Sequence, residues 1–206
     1  MSLKFIFGLL SSVIAIVSFL PYIKDIFSKR TKPHIYSWLV WSILQTTGVI
    51  AAFVGGAQYG MLGLATGALF CIFIFFLSIR YGTKNITRFD TICLIGALLA
   101  IFLWILQKNP LFSVILITLI DFMGFIPTYR KGYIDPRSET ASLYLLSAIS
   151  NLCGLLAIGN YTIITTLYIA SLVVTNIVFV LILLTRRNIR PLVSTTPRWL
   201  VLCISP

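Results

Sequence analysis

Apolar residues occur in seven long runs, separated by short segments that are polar or basic. A helix that crosses a bilayer needs about 20 mostly apolar residues. The runs cover residues 4–24, 35–54, 58–79, 91–106, 111–130, 141–158 and 161–184, and the fourth run is the shortest. This pattern predicts an all-α polytopic membrane protein with seven transmembrane helices.

The second half of the chain repeats the first half at an offset of 106 residues. The segment FLPYIK at 19–24 returns as FIPTYR at 125–130. The same offset aligns three further pairs: Gln45 with Asn151, Gly48 with Gly154, and Arg80 with Arg186. A duplicated membrane unit is typical of transporters that are built from internal repeats.

Two copies of a three-helix unit can have the same orientation in the membrane only if an odd number of helices, here one, lies between them. This predicts a 3+1+3 arrangement. We assign the first bundle to residues 1–90, the linker helix to 91–110, the second bundle to 111–187 and a cytoplasmic tail to 188–206. An axis along the membrane normal would relate the two bundles.

The composition agrees with lipid as the solvent of this chain. Of its 206 residues, 59% are hydrophobic and 10% are charged, and the mean hydropathy is +1.01. Soluble domains carry roughly 25% charged residues. So much apolar surface cannot be hidden inside one small globule, which excludes a soluble enzyme or binding domain.

The basic residues are segregated by the predicted spans. Seven spans place fourteen of the sixteen Lys and Arg residues on one side, and Lys4 and Lys108 on the other. The positive-inside rule then predicts an outside N-terminus and a cytoplasmic C-terminus. The basic clusters also suit contact with lipid headgroups. Nucleic-acid binding is not expected, because no loop is long enough to form a domain.

Signatures of catalysis and of cofactor binding are absent from the sequence. It has no phosphate-binding loop, no metal-ligand cluster and no nucleophile–base set. We therefore expect no enzyme activity, no cofactor and no bound metal. The single histidine, His34, falls in the first predicted inner loop, where we expect it to be solvated.

Two amides lie near the middle of equivalent runs, Gln45 in the second and Asn151 in the sixth. Facing each other, they would offer donors and acceptors to a polar solute, although amides also join neighbouring helices. Trp41 lies on the same face of its helix as Gln45, and its counterpart Ser147 lies on the same face as Asn151. Together Trp41 and Ser147 would form an asymmetric site for a ring-bearing solute. Trp38 lies nearer the inner headgroups and is expected to anchor the interface.

Asp121 is the one acidic residue in the middle of a predicted span, and its counterpart is Ala15. Three hypotheses compete: Asp121 carries a coupling proton, binds a cationic or hydroxyl-bearing substrate, or is a protonated structural group. Asn176, opposite Phe70 in the repeat, is a further candidate for the solute site.

Gly63 and Gly67 allow a close approach of two helices, and we interpret them as packing positions.

A three-helix unit with a proline near the inner end of its first helix, used twice around a linker, resembles the SWEET and PQ-loop (MtN3-like) transporter superfamily. The bacterial PnuC-type vitamin transporters share this plan. The resemblance covers residues 4–187, although Tyr22 and Thr128 follow the prolines where the PQ-loop group has glutamine. It implies a solute site between the two bundles, lined in part by an asparagine on the third helix, here Asn176.

The resemblance also implies that Pro21 and Pro127 are hinges in the first helix of each bundle. A proline removes a backbone hydrogen bond and kinks a helix. The alternative is that the two prolines end their helices at the inner interface.

Together these features predict a transporter that moves a small polar solute by alternating access, as a uniporter or with proton coupling at Asp121. A sugar, a nucleoside, a vitamin precursor or an amino acid would each fit, and a ring-bearing solute is favoured. The alternative is a membrane receptor on the same plan, as the KDEL receptor is. The expected partners are the solute and the lipid bilayer, and homo-oligomerisation is left open.

Overall fold

The computed structural model describes residues 2–84, 86–107 and 110–189. These residues form an all-α structure without strands. The helices are α1 (Leu3–Phe27), α2 (Ile35–Val54), α3 (Leu62–Tyr81), α4 (Arg88–Gln107), α5 (Pro110–Ile134), α6 (Ala141–Leu156) and α7 (Ile163–Ile189). Two short 3₁₀ helices, Gln58–Met61 and Pro136–Ser138, lie before α3 and before α6. Most of the predicted tail, from residue 190 onward, falls outside the described residues.

Among the described residues, four segments are long and apolar enough to cross a membrane: Leu3–Phe27, Ile35–Val54, Gln58–Tyr81 and Ile163–Asn188. Large apolar side chains, such as Val13, Leu69 and Val174, are exposed on the outer faces of their helices. Such surfaces are stable in lipid and costly in water. The chain is therefore a helical membrane protein, and the number of its spans stays a prediction.

Helix ends are fixed by local hydrogen bonds. Ser2 caps α1, since its hydroxyl accepts from the backbone N–H of Phe5 at 3.3 Å. At the start of α4, the N–H of Thr87 donates to a carboxylate oxygen of Asp90 at 2.8 Å, and the N–H of Asp90 donates to the Thr87 hydroxyl at 3.2 Å. This reciprocal pair is a capping box, and it ties down the start of the helix.

The third helix of each predicted unit packs against the other two. Helix α3 packs against α1 and α2, and α7 packs against α5 and α6. Between the units, α1 packs against α6 and α2 packs against α5, while α4 lies against α5 and α2. The packing pattern of α1, α2 and α3 therefore recurs in α5, α6 and α7.

The loops gather at two ends of the molecule. At one end, Thr31 is hydrogen-bonded to Thr140 at 2.7 Å, and the N–H of Thr83 donates to the carbonyl of Pro33 at 2.9 Å. The α1–α2, α3–α4 and α5–α6 loops meet there. We call it the basic end, because clusters of Lys and Arg lie in and beside these loops. At the opposite end, the ammonium of Lys4 donates to the carbonyl of Gly159 at 3.0 Å.

Two apolar clusters fill the interior. One, toward the basic end, is built around Tyr22, Trp38 and Phe179. The other, toward the opposite end, is built around Leu44 and Tyr168. A polar cavity lies among the helices and touches both clusters.

Candidate functional site

A cavity of about 50 Å³ lies between six helices. Its walls come from α1 (Ala15, Phe19), α2 (Trp38, Trp41, Gln45), α3 (Gly63, Leu64, Gly67, Cys71), α5 (Asp121, Phe125), α6 (Leu143, Tyr144, Ser147, Ser150, Asn151) and α7 (Leu172, Asn176). None of these described lining residues belongs to α4. The six residues predicted to contact a solute are all present: Trp41, Gln45, Asp121, Ser147, Asn151 and Asn176. That they bind one stays a prediction.

The cavity walls repeat the internal duplication of the sequence. Five pairs of residues separated by 106 positions line it together: Ala15 with Asp121, Phe19 with Phe125, Trp38 with Tyr144, Trp41 with Ser147, and Gln45 with Asn151. Asn176 departs from this symmetry. It lines the cavity, whereas its counterpart Phe70 stacks on Phe19, with ring centroids 4.7 Å apart. The two halves therefore contribute equivalent positions but different chemistry.

Asp121 supplies the one carboxylate among the lining residues. It is fully buried, and neither of its oxygens has a hydrogen-bond partner within the described part of the chain. The indole Nε1 of Trp41 is also buried without a partner there. A buried polar group without a partner costs free energy, and a charged group costs more. These atoms are therefore available to water, to a proton or to a solute.

The three amides of the cavity keep much of their hydrogen-bonding capacity. The amide nitrogen of Gln45 donates to the sulfur of Cys71 at 3.2 Å. Asn151 donates to the carbonyl of Ser147 at 2.9 Å, and Asn176 donates to the carbonyl of Leu172 at 2.7 Å. An amide has two N–H groups and a carbonyl oxygen with two lone pairs. One donated bond each leaves the carbonyl oxygens of Asn151 and Asn176 for further contacts.

Aromatic rings form a continuous wall on one side of the cavity. Trp38 and Trp41 meet edge to face at 5.1 Å, and Trp41 meets Phe125 at 4.7 Å. The expectation that Trp38 anchors the interface is wrong, because its side chain is 2% exposed. Its indole N–H donates to the hydroxyl of Tyr22 at 3.2 Å, inside the protein.

A polar network lies between the cavity and the basic end. The hydroxyl of Tyr144 donates to Glu139 Oε2 at 3.0 Å, and Lys131 Nζ lies 2.6 Å from Glu139 Oε1. Lys131 also donates to the carbonyls of Lys32 and Ser138. We call Lys131, Glu139 and Tyr144 the inner network. The sequence does not predict the inner network, because Lys131 and Glu139 lie on opposite sides of a loop whose path the sequence does not indicate.

A second contact lies between the cavity and the opposite end. The hydroxyl of Ser11 donates to the carbonyl of Ser150, and the hydroxyl of Ser150 donates to the carbonyl of Ser11, both at 2.7 Å. The two hydroxyl oxygens are 3.3 Å apart. These two bonds join α1 to α6 on the side of the cavity that lies away from the inner network.

His34 is fully buried, so the expectation of a solvated histidine is wrong. Its Nε2 atom lies 3.5 Å from a carboxylate oxygen of Asp90, which also accepts from Arg130 at 2.7 Å. Burial lowers the pKa of His34 from its ordinary value of 6.5, and the nearby Asp90 carboxylate opposes this shift. The cluster joins the α1–α2 loop to α4 and α5. The sequence shows a single histidine at this place but does not indicate that Asp90 lies beside it.

The two glycines of α3 lie at close helix contacts, as predicted. A Cβ atom on Gly63 would lie 1.9 Å from the hydroxyl oxygen of Ser11, and one on Gly67 would lie 2.4 Å from the amide oxygen of Gln45. A side chain at either position would therefore displace Ser11 or Gln45. Both glycines also line the cavity.

Pro21 and Pro127 lie inside α1 and α5, and each helix continues beyond its proline. The alternative in which they end their helices is therefore wrong. Their role as hinges stays a prediction.

Comparison of the chain with protein-family models, with curated proteins and with solved structures gave no match. The resemblance to the SWEET and PQ-loop superfamily therefore stays a prediction.

Proposed function

We propose that this chain is a transporter of a small polar solute, built from two three-helix bundles of the SWEET and PQ-loop type. Helices α1–α3 form one bundle, α5–α7 form the other, and α4 is the linker. The observation that carries the proposal is the set of five equivalent residue pairs around one cavity. Duplicated bundles that enclose a central polar site are the architecture of alternating-access transporters.

The packing of the helices supports the same proposal. A pseudo-twofold axis that exchanges α1 with α5 and α2 with α6 also exchanges the α1–α6 contact with the α2–α5 contact, and both contacts are present. Rocking of one bundle against the other would change these two contacts first. The absence of α4 from the described cavity walls agrees with a linker role.

In this conformation the cavity is too small to hold the solute. A cavity of about 50 Å³ holds a few waters, whereas ligand sites span roughly 300–1,000 Å³. In this proposal the site widens when one side opens. The Ser11–Ser150 contact closes the outer side, the inner network closes the cytoplasmic side, and Pro21 and Pro127 supply the bending points. The N-terminus lies outside and the C-terminus in the cytoplasm.

The receptor alternative has less support. A receptor for a peptide carboxylate needs a cation in its cavity, and the described lining residues include no lysine, arginine or histidine.

Uptake into liposomes tests the proposal. The full chain is reconstituted and given radiolabelled sugars, nucleosides, vitamin precursors and amino acids, with protein-free liposomes as background. Replacement of Gln45 by leucine should abolish the uptake that wild type shows. The matched control is Thr46→Val, on the exposed side of α2, which should retain it. Uptake of none of these solutes, together with tight binding of a peptide, would favour the receptor.

A further inference from the structure

The cavity holds one acid and no basic residue among its described lining residues. Asp121 is fully buried and both of its oxygens lack a hydrogen-bond partner in the described part of the chain. Water in so small a space can make some of the hydrogen bonds that the Asp121 carboxylate lacks, but it cannot neutralise the negative charge. A carboxylate in a membrane interior is stable when a cation pairs with it.

The remaining walls indicate which kind of cation fits. Five aromatic residues line the cavity: Phe19, Trp38, Trp41, Phe125 and Tyr144. Aromatic rings attract ammonium groups through their negative faces, and cages of such rings recognise quaternary ammonium ligands. An inorganic cation instead prefers a shell of several oxygen ligands. Asp121 is the one charged oxygen ligand among the described lining residues, and the five rings beside it favour an organic cation over a metal ion.

We propose that the solute of this cavity is a small organic cation, with its ammonium group held by Asp121 and by the aromatic wall. This inference rests on the proposed function, since it names the solute class of the same site. Gln45, Asn151 and Asn176 lie on the same cavity and would hydrogen-bond a hydroxyl or carbonyl group elsewhere on the solute.

Equilibrium binding to the purified full chain in lipid nanodiscs tests the inference. Radiolabelled choline is the probe, and its neutral isostere 3,3-dimethylbutan-1-ol is the matched competitor, with the same shape but without the charge. We expect choline and tetramethylammonium to compete with the label, and the neutral isostere to compete at least about tenfold more weakly, because it cannot form a charge pair with Asp121. Sodium chloride at matched ionic strength should not displace the label. Equal competition by the neutral isostere, or displacement by sodium, would overturn the inference.

Asp121→Asn should weaken choline binding at least about tenfold through loss of the charge pair, whereas Asp135→Asn, which removes an exposed carboxylate in a loop, should not. A second pair of variants does not depend on how well the Asp121 variant folds. Trp41→Leu should weaken binding about threefold or more, and Trp41→Phe, which keeps a ring, should weaken it less. Unchanged affinity in Asp121→Asn that elutes as a folded species would overturn the inference.

The binding and uptake experiments separate the two proposals. Uptake of a neutral sugar or nucleoside without any binding of choline would overturn the organic-cation inference and leave the transporter proposal standing. Binding of choline that requires Asp121, without uptake of radiolabelled choline or of any solute in the panel, would overturn the transporter proposal and leave the organic-cation inference standing. If Asp121 keeps its proton when choline binds, Asp121→Asn should bind choline as tightly as wild type, which would overturn the inference.

Discussion

Ser11 and Ser150 join α1 to α6 through two reciprocal hydrogen bonds, in which each hydroxyl donates to the backbone carbonyl of the other residue at 2.7 Å. The two residues belong to different halves of the duplicated chain. A contact of this kind is satisfied only when the two helices are close, because each bond leaves an unpaired polar group when it breaks. The pair is therefore a candidate closing contact for the outer side of the cavity.

A cross-link at this contact should stop transport. Cysteines at both positions would lie close enough for a disulfide, since the hydroxyl oxygens are 3.3 Å apart. We expect oxidised Ser11→Cys/Ser150→Cys to lose uptake and to recover it after reduction with dithiothreitol. The control is Ser12→Cys/Ser150→Cys, because Ser12 is bonded to Thr66 instead. Full uptake by a cross-linked protein would show that α1 and α6 need not separate.

The ion pair of the inner network should make a large contribution to stability. Glu139 and Lys131 are both buried, and loss of one partner of such a pair costs about 3–5 kcal/mol. We expect Glu139→Gln and Lys131→Met each to lower the unfolding free energy by about this amount. The double variant should lose less than the sum, because no unpaired charge is then left. Denaturant unfolding in detergent measures all three, and additive losses would contradict a coupled pair.

His34 should make the protein less stable in mild acid. Burial lowers the pKa of His34 in the folded protein below 6.5, so the unfolded chain binds a proton more readily than the folded chain. The stability that depends on neutral His34 is present above about pH 6.5 and is lost as the pH falls below it. We expect the unfolding temperature of wild type to drop between about pH 7.5 and about pH 5.5. His34→Gln should drop less, and an equal drop in both would exclude this histidine as the cause.

The sequence was sufficient to select six of the residues that line the cavity, because two periodicities act together. Helical spacing places Trp38, Trp41 and Gln45 on one face of α2, and the 106-residue offset transfers that face to α6. Asp121 and Asn176 could be selected because a polar group in an apolar run is costly. These residues could be selected from positions within one helix or one repeat.

The features that the sequence did not predict depend on which loops meet. Glu139 contacts Lys131 across a turn, and His34, in the α1–α2 loop, lies 3.5 Å from Asp90 in the first turn of α4. Neither pairing follows from spacing. The burial of Trp38 was missed for a related reason: its depth along α2 suggested an interface, but Tyr22 on α1 covers it.

The equivalence of Ala15 and Asp121 allows the carboxylate to be moved across the cavity. Both residues line it, at matching positions of α1 and α5. If the two halves enclose one central site, a carboxylate at position 15 faces the same solute from the other side. We expect Asp121→Ala to lose choline binding and Ala15→Asp/Asp121→Ala to recover it to within about tenfold of wild type, because the charge pair is restored. The control, Ile16→Asp/Asp121→Ala, places the carboxylate on an exposed face and should recover nothing. Equal failure of both double variants would show that a carboxylate at position 15 does not reach the ammonium group of the solute, and that the two halves do not offer equivalent places for it.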